Sequence, residues 1–312
     1  MNEDLFYAGI DGGGTKTLAV IVDALGHERG RGIAAGANFT STGIAETIAN
    51  VRSAIVEASA NAGGTPLHRA WIGLAGVDRP ADFAAVLPRL QDLAQEVRLT
   101  NDATLALSGL DDAVGVALIA GTGSIAVGCD AGGTTARAGG WGNILGDEGG
   151  GYAIGRAGLQ AAARAADGRG PWTDLLDRVL HALQLDSPAQ LVGAVYANRD
   201  ARMIAGMAPL VFAAARSGDA TAEAIVRREA EELALAVLTV GTKLAFPKAL
   251  PLALAGSLLT RDDGYRALVL DGIRRHRALG QVAIVDCPAA AAARSARQPF
   301  TAHGASSTSP PE

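Results

Sequence analysis

The chain has 312 residues, of which 40 are Gly and only 6 Phe, 4 Tyr and 3 Trp are aromatic; 49% are hydrophobic and 19% charged. The glycine has no Gly-X-Y period and the apolar fraction is too high for disorder, so fibrous and unfolded chains are excluded. The net charge of -5 comes from both signs spread along the sequence, with no basic patch to neutralise a phosphate backbone, which argues against a nucleic-acid partner.

The elements follow in chain order. Phe6 to Ile10 is an apolar run, the loop Asp11–Lys16 follows, and Leu18 to Val22 is a second strand. A third strand near Gly32 to Ala35 can pair antiparallel after a turn at Gly26. Thr42 to Ala62 has helical spacing, Ala70 to Leu74 reads as a strand, Asp82 to Leu90 as a helix, Val97 to Thr100 as a strand, and a helix opens at Ala103. The pattern then restarts: Val114 to Ala120 is a buried strand, Gly121–Ser124 a loop and Ile125 to Cys129 a strand, so two similar halves are expected. The second half is richer in helix. Its longest, Asp219 to Leu244, carries Val226, Ala230, Leu233, Val237, Val240 and Leu244 as one apolar stripe. A strand at Leu252 to Ala255, a helix at Asp263 to His276 and a strand at Val282 to Val285 complete the order. From Gln298 the Ser/Thr/Pro-rich tail reads as disordered.

Cys129 and Cys287 stand alone, without metal-ligand spacing, and are expected to be small core residues. No segment reaches membrane-spanning length without a charge or a break, so a cytoplasmic protein with no membrane partner is expected.

Gly9-Ile-Asp-Gly-Gly-Gly-Thr-Lys-Thr17 nearly spells the phosphate loop G-x-x-x-x-G-K-[ST], but a strand follows where a helix N-terminus is needed. Gly121-Thr-Gly-Ser-Ile-Ala126 spells G-x-G-x-x-A, and again a strand follows. What survives is a glycine-rich β-hairpin turn used twice. Its amides can approach an anion closely, and Thr15, Lys16, Thr17, Thr122 and Ser124 can complete a cradle. Either turn alone could be a mere tight turn; a pair at matching places in two repeats points to a triphosphate clamped from both sides. Asp11 enters the first loop, where a carboxylate suits a turn or holds hydrated Mg²⁺. Asn101 or Asp102 could cap the helix from Ala103, or Asp102 could be a catalytic base at a strand's carboxyl end. Asp147, between glycines, could cap the helix that follows Gly151, and Trp141 among glycines suggests a ligand-side or loop-anchoring role.

These phrases, with Thr100-Asn-Asp-Ala103, Ala120-Gly-Thr-Gly-Ser124 and Ala255-Gly-Ser257 in this order, resemble the sugar kinase branch of the hexokinase, actin and heat-shock chaperone superfamily. Gly139-Gly-Trp-Gly142 with Leu145-Gly-Asp-Glu-Gly149 is more narrowly similar to the N-acetylglucosamine kinases of the BadF/BadG/BcrA/BcrD-type ATPases. The resemblance spans Phe6 to Val285. It implies an α/β protein of two ribonuclease H-like (actin-like ATPase) domains, each with a mixed β-sheet, and a cleft between them. The expected division is residues 1–113, residues 114–297 and a disordered tail at 298–312.

The resemblance further implies ATP and Mg²⁺ as cofactors and an amino sugar as substrate, with a homodimer as the working form. ATP contacts would fall on Asp11, Gly12, Gly13, Gly14, Thr15, Lys16, Thr17, Gly121, Thr122, Gly123, Ser124, Gly256 and Ser257, with Asp11 on the metal. Sugar contacts would be Asn38, Asn101, Asp102, Trp141, Gly142 and Asp147, with Asp102 as catalytic base. Glucosamine and N-acetylmuramic acid kinases are alternatives in the same group. Iron–sulfur activator ATPases need paired cysteines that this chain lacks, and a non-catalytic sugar sensor is a further alternative. Such kinases open their last helix with Gly-Ala, whereas this chain has Cys287-Pro288; proline suits a helix start, so a helix there is still expected.

Overall fold

The structure, a computed structural model, describes residues 5–64, 66–197 and 200–300. In the first sheet β1 (Phe6–Gly12), β2 (Lys16–Val22) and β3 (Glu28–Ala35) form an antiparallel meander. β4 (Leu67–Leu74) and β5 (Glu96–Asn101) add in parallel beyond β1, giving the order β3-β2-β1-β4-β5. In the second sheet β6 (Gly115–Ala120), β7 (Ser124–Cys129) and β8 (Thr135–Gly139) make the meander. β9 (Leu250–Ala255) and β10 (Leu279–Val285) add in parallel, in the order β10-β9-β6-β7-β8. Both sheets therefore share one topology, and the restart expected at Val114 is a repeat of architecture.

Helices α1 (Phe39–Thr42) and α2 (Ile44–Asn61) join β3 to β4, α3 (Pro80–Val86) joins β4 to β5, and α4 (Asp102–Leu105) follows β5. Between β8 and β9 lie α5 (Gly151–Ala166), α6 (Leu175–Ala182), α7 (Leu191–Ala197), α8 (Ala201–Ala205), α9 (Ala208–Arg216) and α10 (Ala220–Lys243). α11 (Ser257–Arg261) and α12 (Asp263–Arg274) precede β10, and α13 (Pro288–Ser295) follows it. None of the helices among the described residues is long and apolar enough to cross a membrane.

The central strands read as apolar runs because helices cover both faces. Ala8 and Ile10 of β1, Trp71, Ile72 and Leu74 of β4 and Leu252 and Leu254 of β9 are all buried. The six residues of the α10 stripe are buried as expected. A separate cluster ties the halves together, with Trp71 of β4, Leu105 of α4, Ala117 of β6, Ala253 of β9, Val285 of β10 and Ala292 of α13 in one core.

Four expectations change. α13, expected to belong with residues 114–297, packs on β1 and β2 of the first sheet, sharing a core with Tyr7, Val20 and Val22. The cause is local: a Cβ at Gly9 would lie 2.0 Å from the Ala289 carbonyl oxygen, so glycine facing an alanine helix permits contact of backbone on backbone. The first residues of the tail expected from Gln298 are placed against the core, Phe300 packing edge-on on Trp71 with ring centres 6.2 Å apart; residues 301–312 of that expectation lie outside the described residues. Cys129 and Cys287 are free thiols only partly buried, at the margin of the core. The helix expected at Asp82 to Leu90 is shorter, α3 giving way to a 3-10 turn at Leu87–Arg89, which contains Pro88.

Candidate active site

In each sheet the parallel strands end at one edge. Gly12 pairs with Leu74 and Leu74 with Asn101 in the first sheet, and Ile119 and Val285 both pair with Ala255 in the second. The glycine turns lie at these edges, where ligands of such sheets collect.

The first turn is closed by the Gly13 amide donating to the Lys16 carbonyl at 3.1 Å. It is pinned from outside by Ala37 donating to the Gly13 carbonyl and Ala75 to the Gly12 carbonyl, at 2.9 and 2.8 Å. Gly14, Thr15 and Lys16 are exposed at its tip. Thr17 is not part of that tip: it is fully buried and its hydroxyl donates to the Ala35 carbonyl at 2.7 Å, because alternation along β2 turns it inward. Asn38 caps α1, its Oδ1 accepting from the Thr40 amide and hydroxyl at 3.0 and 2.6 Å, and its Nδ2 lies beside Gly14.

At the same edge stand Asp11 and Asp102. The capping question is settled by Asn101, whose Oδ1 accepts from the Thr104 amide at 2.8 Å while its Nδ2 donates to Asp78 at 3.1 Å. Asp102 is thus the first residue of α4 and not its cap, with its Oδ1 accepting from the Ala103 amide at 2.9 Å. Burial raises the Asp102 carboxyl, the Asp78 carboxylate adds to this, and the Ala103 amide opposes it. Asp11 is pushed up to about 6 by burial and then by Asp102, with Lys16 pulling the other way. Asp102 thus disfavours the charge on Asp11 beside a phosphate-type loop.

The second turn is closed by Gly121 donating to Gly123 at 2.9 Å. Its outward carbonyls are taken by the first amides of α5, Gly151 to Gly121 at 2.8 Å and Tyr152 to Thr122 at 2.9 Å. Ser124 donates its hydroxyl to the Glu148 carbonyl at 2.5 Å, so Ser124 serves the adjoining loop and Thr122 is left as the exposed hydroxyl. Gly256, at φ +84°, sits against β6, where a Cβ would lie 2.3 Å from the Ala120 carbonyl oxygen; Ser257 opens α11 beside it.

Asp147 is not the cap of α5, which is Gly150. Its carboxylate lies on the second turn, accepting from the Ser124 amide at 3.3 Å and occupying the space a Cβ on Gly123 would need. Burial raises the Asp147 carboxyl, Glu148 adds to this, and the Ser124 amide opposes it. The structure thus attaches Asp147 to the second hairpin. Trp141 and Gly142 are exposed, Trp141 by 63%, and the Arg137 guanidinium lies 4.8 Å from the indole centre. That arrangement makes Trp141 part of an open loop and does not bring it to the carboxylates.

Sequence reasoning missed the residues that hold this loop. Glu229 of α10 is buried and accepts from the Gly149 amide at 2.8 Å, while Tyr265 of α12 donates to the Gly149 carbonyl at 2.9 Å. Glu229 could have been found, since an acidic residue falls between Val226 and Leu233 on an apolar stripe. Arg202, whose Nη2 donates to the Thr15 hydroxyl at 2.7 Å, carries no comparable signal.

Two sheets of one topology, each with a glycine hairpin at the carboxyl edge of its parallel strands, define the actin-like ATPase fold. The chain belongs to the BadF/BadG/BcrA/BcrD ATPase family, which its residues 8–278 match. It is 33% identical over 281 residues to the N-acetyl-D-glucosamine kinase of Dictyostelium discoideum, covering 84% of this chain and 87% of that protein. It is 32% identical over 262 residues to the N-acetylmuramic acid/N-acetylglucosamine kinase of Clostridium acetobutylicum, covering 81% and 85%. A solved structure described as a candidate N-acetylglucosamine kinase from Chromobacterium violaceum superposes with a TM-score of 0.71 at 26% identity, over 95% of this chain and 99% of that one.

Proposed function

We propose that the protein is an ATP-dependent amino-sugar kinase that phosphorylates the 6-hydroxyl of N-acetylglucosamine. The observation that carries this is the pairing of Asp102 with Asp11 at the hairpin edge, a base with a raised affinity for protons beside a site suited to a cation. The names of the two curated relatives support the acceptor.

The turn amides of Gly14 and Gly123, with Thr15, Lys16 and Thr122, hold the phosphates of ATP, while the Gly13 and Gly121 amides close the two turns. Asp11 would hold Mg²⁺, whose charge offsets that of the phosphate oxygens. Gly256 and Ser257 lie on the adenosine side, and Asn38, Trp141 and Gly142 on the sugar side. Asp102 accepts the proton of the sugar hydroxyl as its oxygen forms a bond to the terminal phosphorus; the bond from that phosphorus to the β-phosphate oxygen breaks, and ADP leaves with that electron pair. Asp147, held by Glu229 and Tyr265 through Gly149, keeps the second turn in place. The halves close over the substrates and exclude water, with α13 moving with residues 1–113 and a homodimer as the working form.

A coupled assay of ADP release tests the acceptor across N-acetylglucosamine, glucosamine, N-acetylmuramic acid and glucose. N-acetylglucosamine is expected to give the highest kcat/KM. If no sugar stimulates ADP release from the folded, magnesium-supplied protein, the kinase assignment fails and a sugar sensor takes its place.

A further inference from the structure

Arg202 lies outside every sequence motif, yet it connects the two hairpins. Its Nη2 donates to the hydroxyl of Thr15, the exposed tip of the first turn, at 2.7 Å across 187 residues of chain. Its own helix, α8, is seated on α5: a Cβ on Gly155 would lie 1.9 Å from the Ile204 carbonyl oxygen, and one on Gly151 would lie 3.4 Å from Ala205. α5 in turn gives its first two amides to the second turn, at the Gly121 and Thr122 carbonyls. The guanidinium is therefore carried by the second hairpin's scaffold and bonded to the tip of the first.

Its chemistry suits that place. A guanidinium is a planar fork of five N–H donors that stays charged, and one arm held by a neutral hydroxyl leaves others for acceptors. The second turn, Gly121–Gly123, carries no charged side chain, and the first has Lys16 as its cation. A triphosphate between them would meet amides and hydroxyls on one side and one ammonium on the other.

We propose that Arg202 binds the terminal phosphates of ATP, and that Thr15 holds its guanidinium in position before the nucleotide arrives. This rests on the two hairpins being the ATP cradle. Arg202 then offsets the negative charge that grows on the β-phosphate oxygen as ADP departs, so both ATP affinity and turnover depend on it.

The test compares Arg202→Ala, Arg202→Gln and Arg202→Lys for the KM of ATP and of sugar, with thermal melting as a control. Arg202 is exposed, so all three variants are expected to fold with little change in Tm. The Ala and Gln variants are expected to raise the KM for ATP by about 10- to 100-fold, the scale of one charge-assisted hydrogen bond. Sugar KM should stay within about twofold, and Lys should restore part of the ATP affinity. Gln is the discriminating variant, because it can still donate to Thr15 but brings no charge. Recovery by Gln, an unchanged ATP KM in the Ala variant, or parallel loss of sugar affinity would overturn the proposal while leaving the kinase assignment standing. A wild-type protein without sugar-dependent ADP release would instead remove the kinase assignment, and the role of Arg202 with it.

Discussion

The two sheets share one strand order, and each carries a glycine hairpin, but the first draws its ionisable groups from its own strand ends, whereas the second receives its carboxylate from Asp147 of a following loop. β1 ends in Ile10-Asp11-Gly12, Lys16 opens β2 and Asp102 follows β5. β6 ends in Leu118-Ile119-Ala120, and no charged side chain occurs before Ser124. Beyond β10 the place corresponding to Asp102 holds an exposed Asp286, after which α13 departs for the first sheet. On the proposed function, one architecture repeated in this way serves two tasks. Proton and cation chemistry needs buried carboxylates with shifted affinities, whereas holding a phosphate chain needs only amides, hydroxyls and shape.

The strongest way to break that comparison is Asp102→Asn. Turnover is expected to fall by about 10²–10⁴-fold, the usual worth of a positioned base, while calorimetry shows sugar binding nearly unchanged. A variant with near-normal kcat would place the proton elsewhere.

Matched glycine substitutions sharpen it next. An added methyl on Gly123 meets Asp147 at 2.4 Å, whereas on Gly13 the nearest atom is 3.6 Å away. Gly123→Ala should therefore lower unfolding free energy by about 1–3 kcal/mol, the range of overpacking, and Gly13→Ala should leave Tm close to wild type. Equal melting of the two would mean that Asp147 is not seated on the second turn.

Asp11→Asn addresses the charge on the first turn. The carboxyl lies at about 6 in the folded protein against an ordinary value of 3.8, so the charged form is disfavoured by folding. Above pH about 6 the native protein carries that cost in full, and as pH falls towards 4 the carboxyl is protonated in both states and the cost disappears. In EDTA the substitution should thus stabilise by about 1–3 kcal/mol at pH 7, and progressively less between pH 6 and 4. Urea titrations over that range would contradict this by showing destabilisation or no dependence on pH. The smallest effect is expected of Thr17→Val: about 1 kcal/mol of stability from the lost bond to Ala35, with the KM for ATP within about twofold. A large rise in that KM at unchanged Tm would return Thr17 to the cradle.

Most of the strand order was legible because glycine runs and β-branched strands punctuate this chain clearly, and the α10 stripe needed only helical periodicity. The seat of α13 was not, since an alanine helix has no preference among apolar surfaces until Gly9 offers a surface without side chains. Among site residues, Asp11 and Asp102 could be located because strand ends are readable. Thr17 was not legible as a buried residue because the loop is shorter than the glycine run suggests: β1 runs on to Gly12 and β2 begins at Lys16, which turns Thr17 inward. The Ser124 hydroxyl and the Asp147 carboxylate found each other's loops through tertiary contact, which no local pattern encodes. Arg202 reaches Thr15 from a five-residue helix whose position depends on α5, so its role could emerge only from the assembled fold.

On the proposed function, the site at the two hairpins moves a phosphoryl group from ATP to a sugar hydroxyl and does not release it to water. Phosphorus NMR of the wild-type protein with MgATP and N-acetylglucosamine measures this directly. The expected result is one new phosphomonoester signal coupled to the C6 protons, growing in step with ADP. ADP and inorganic phosphate accumulating without a sugar phosphate would contradict it.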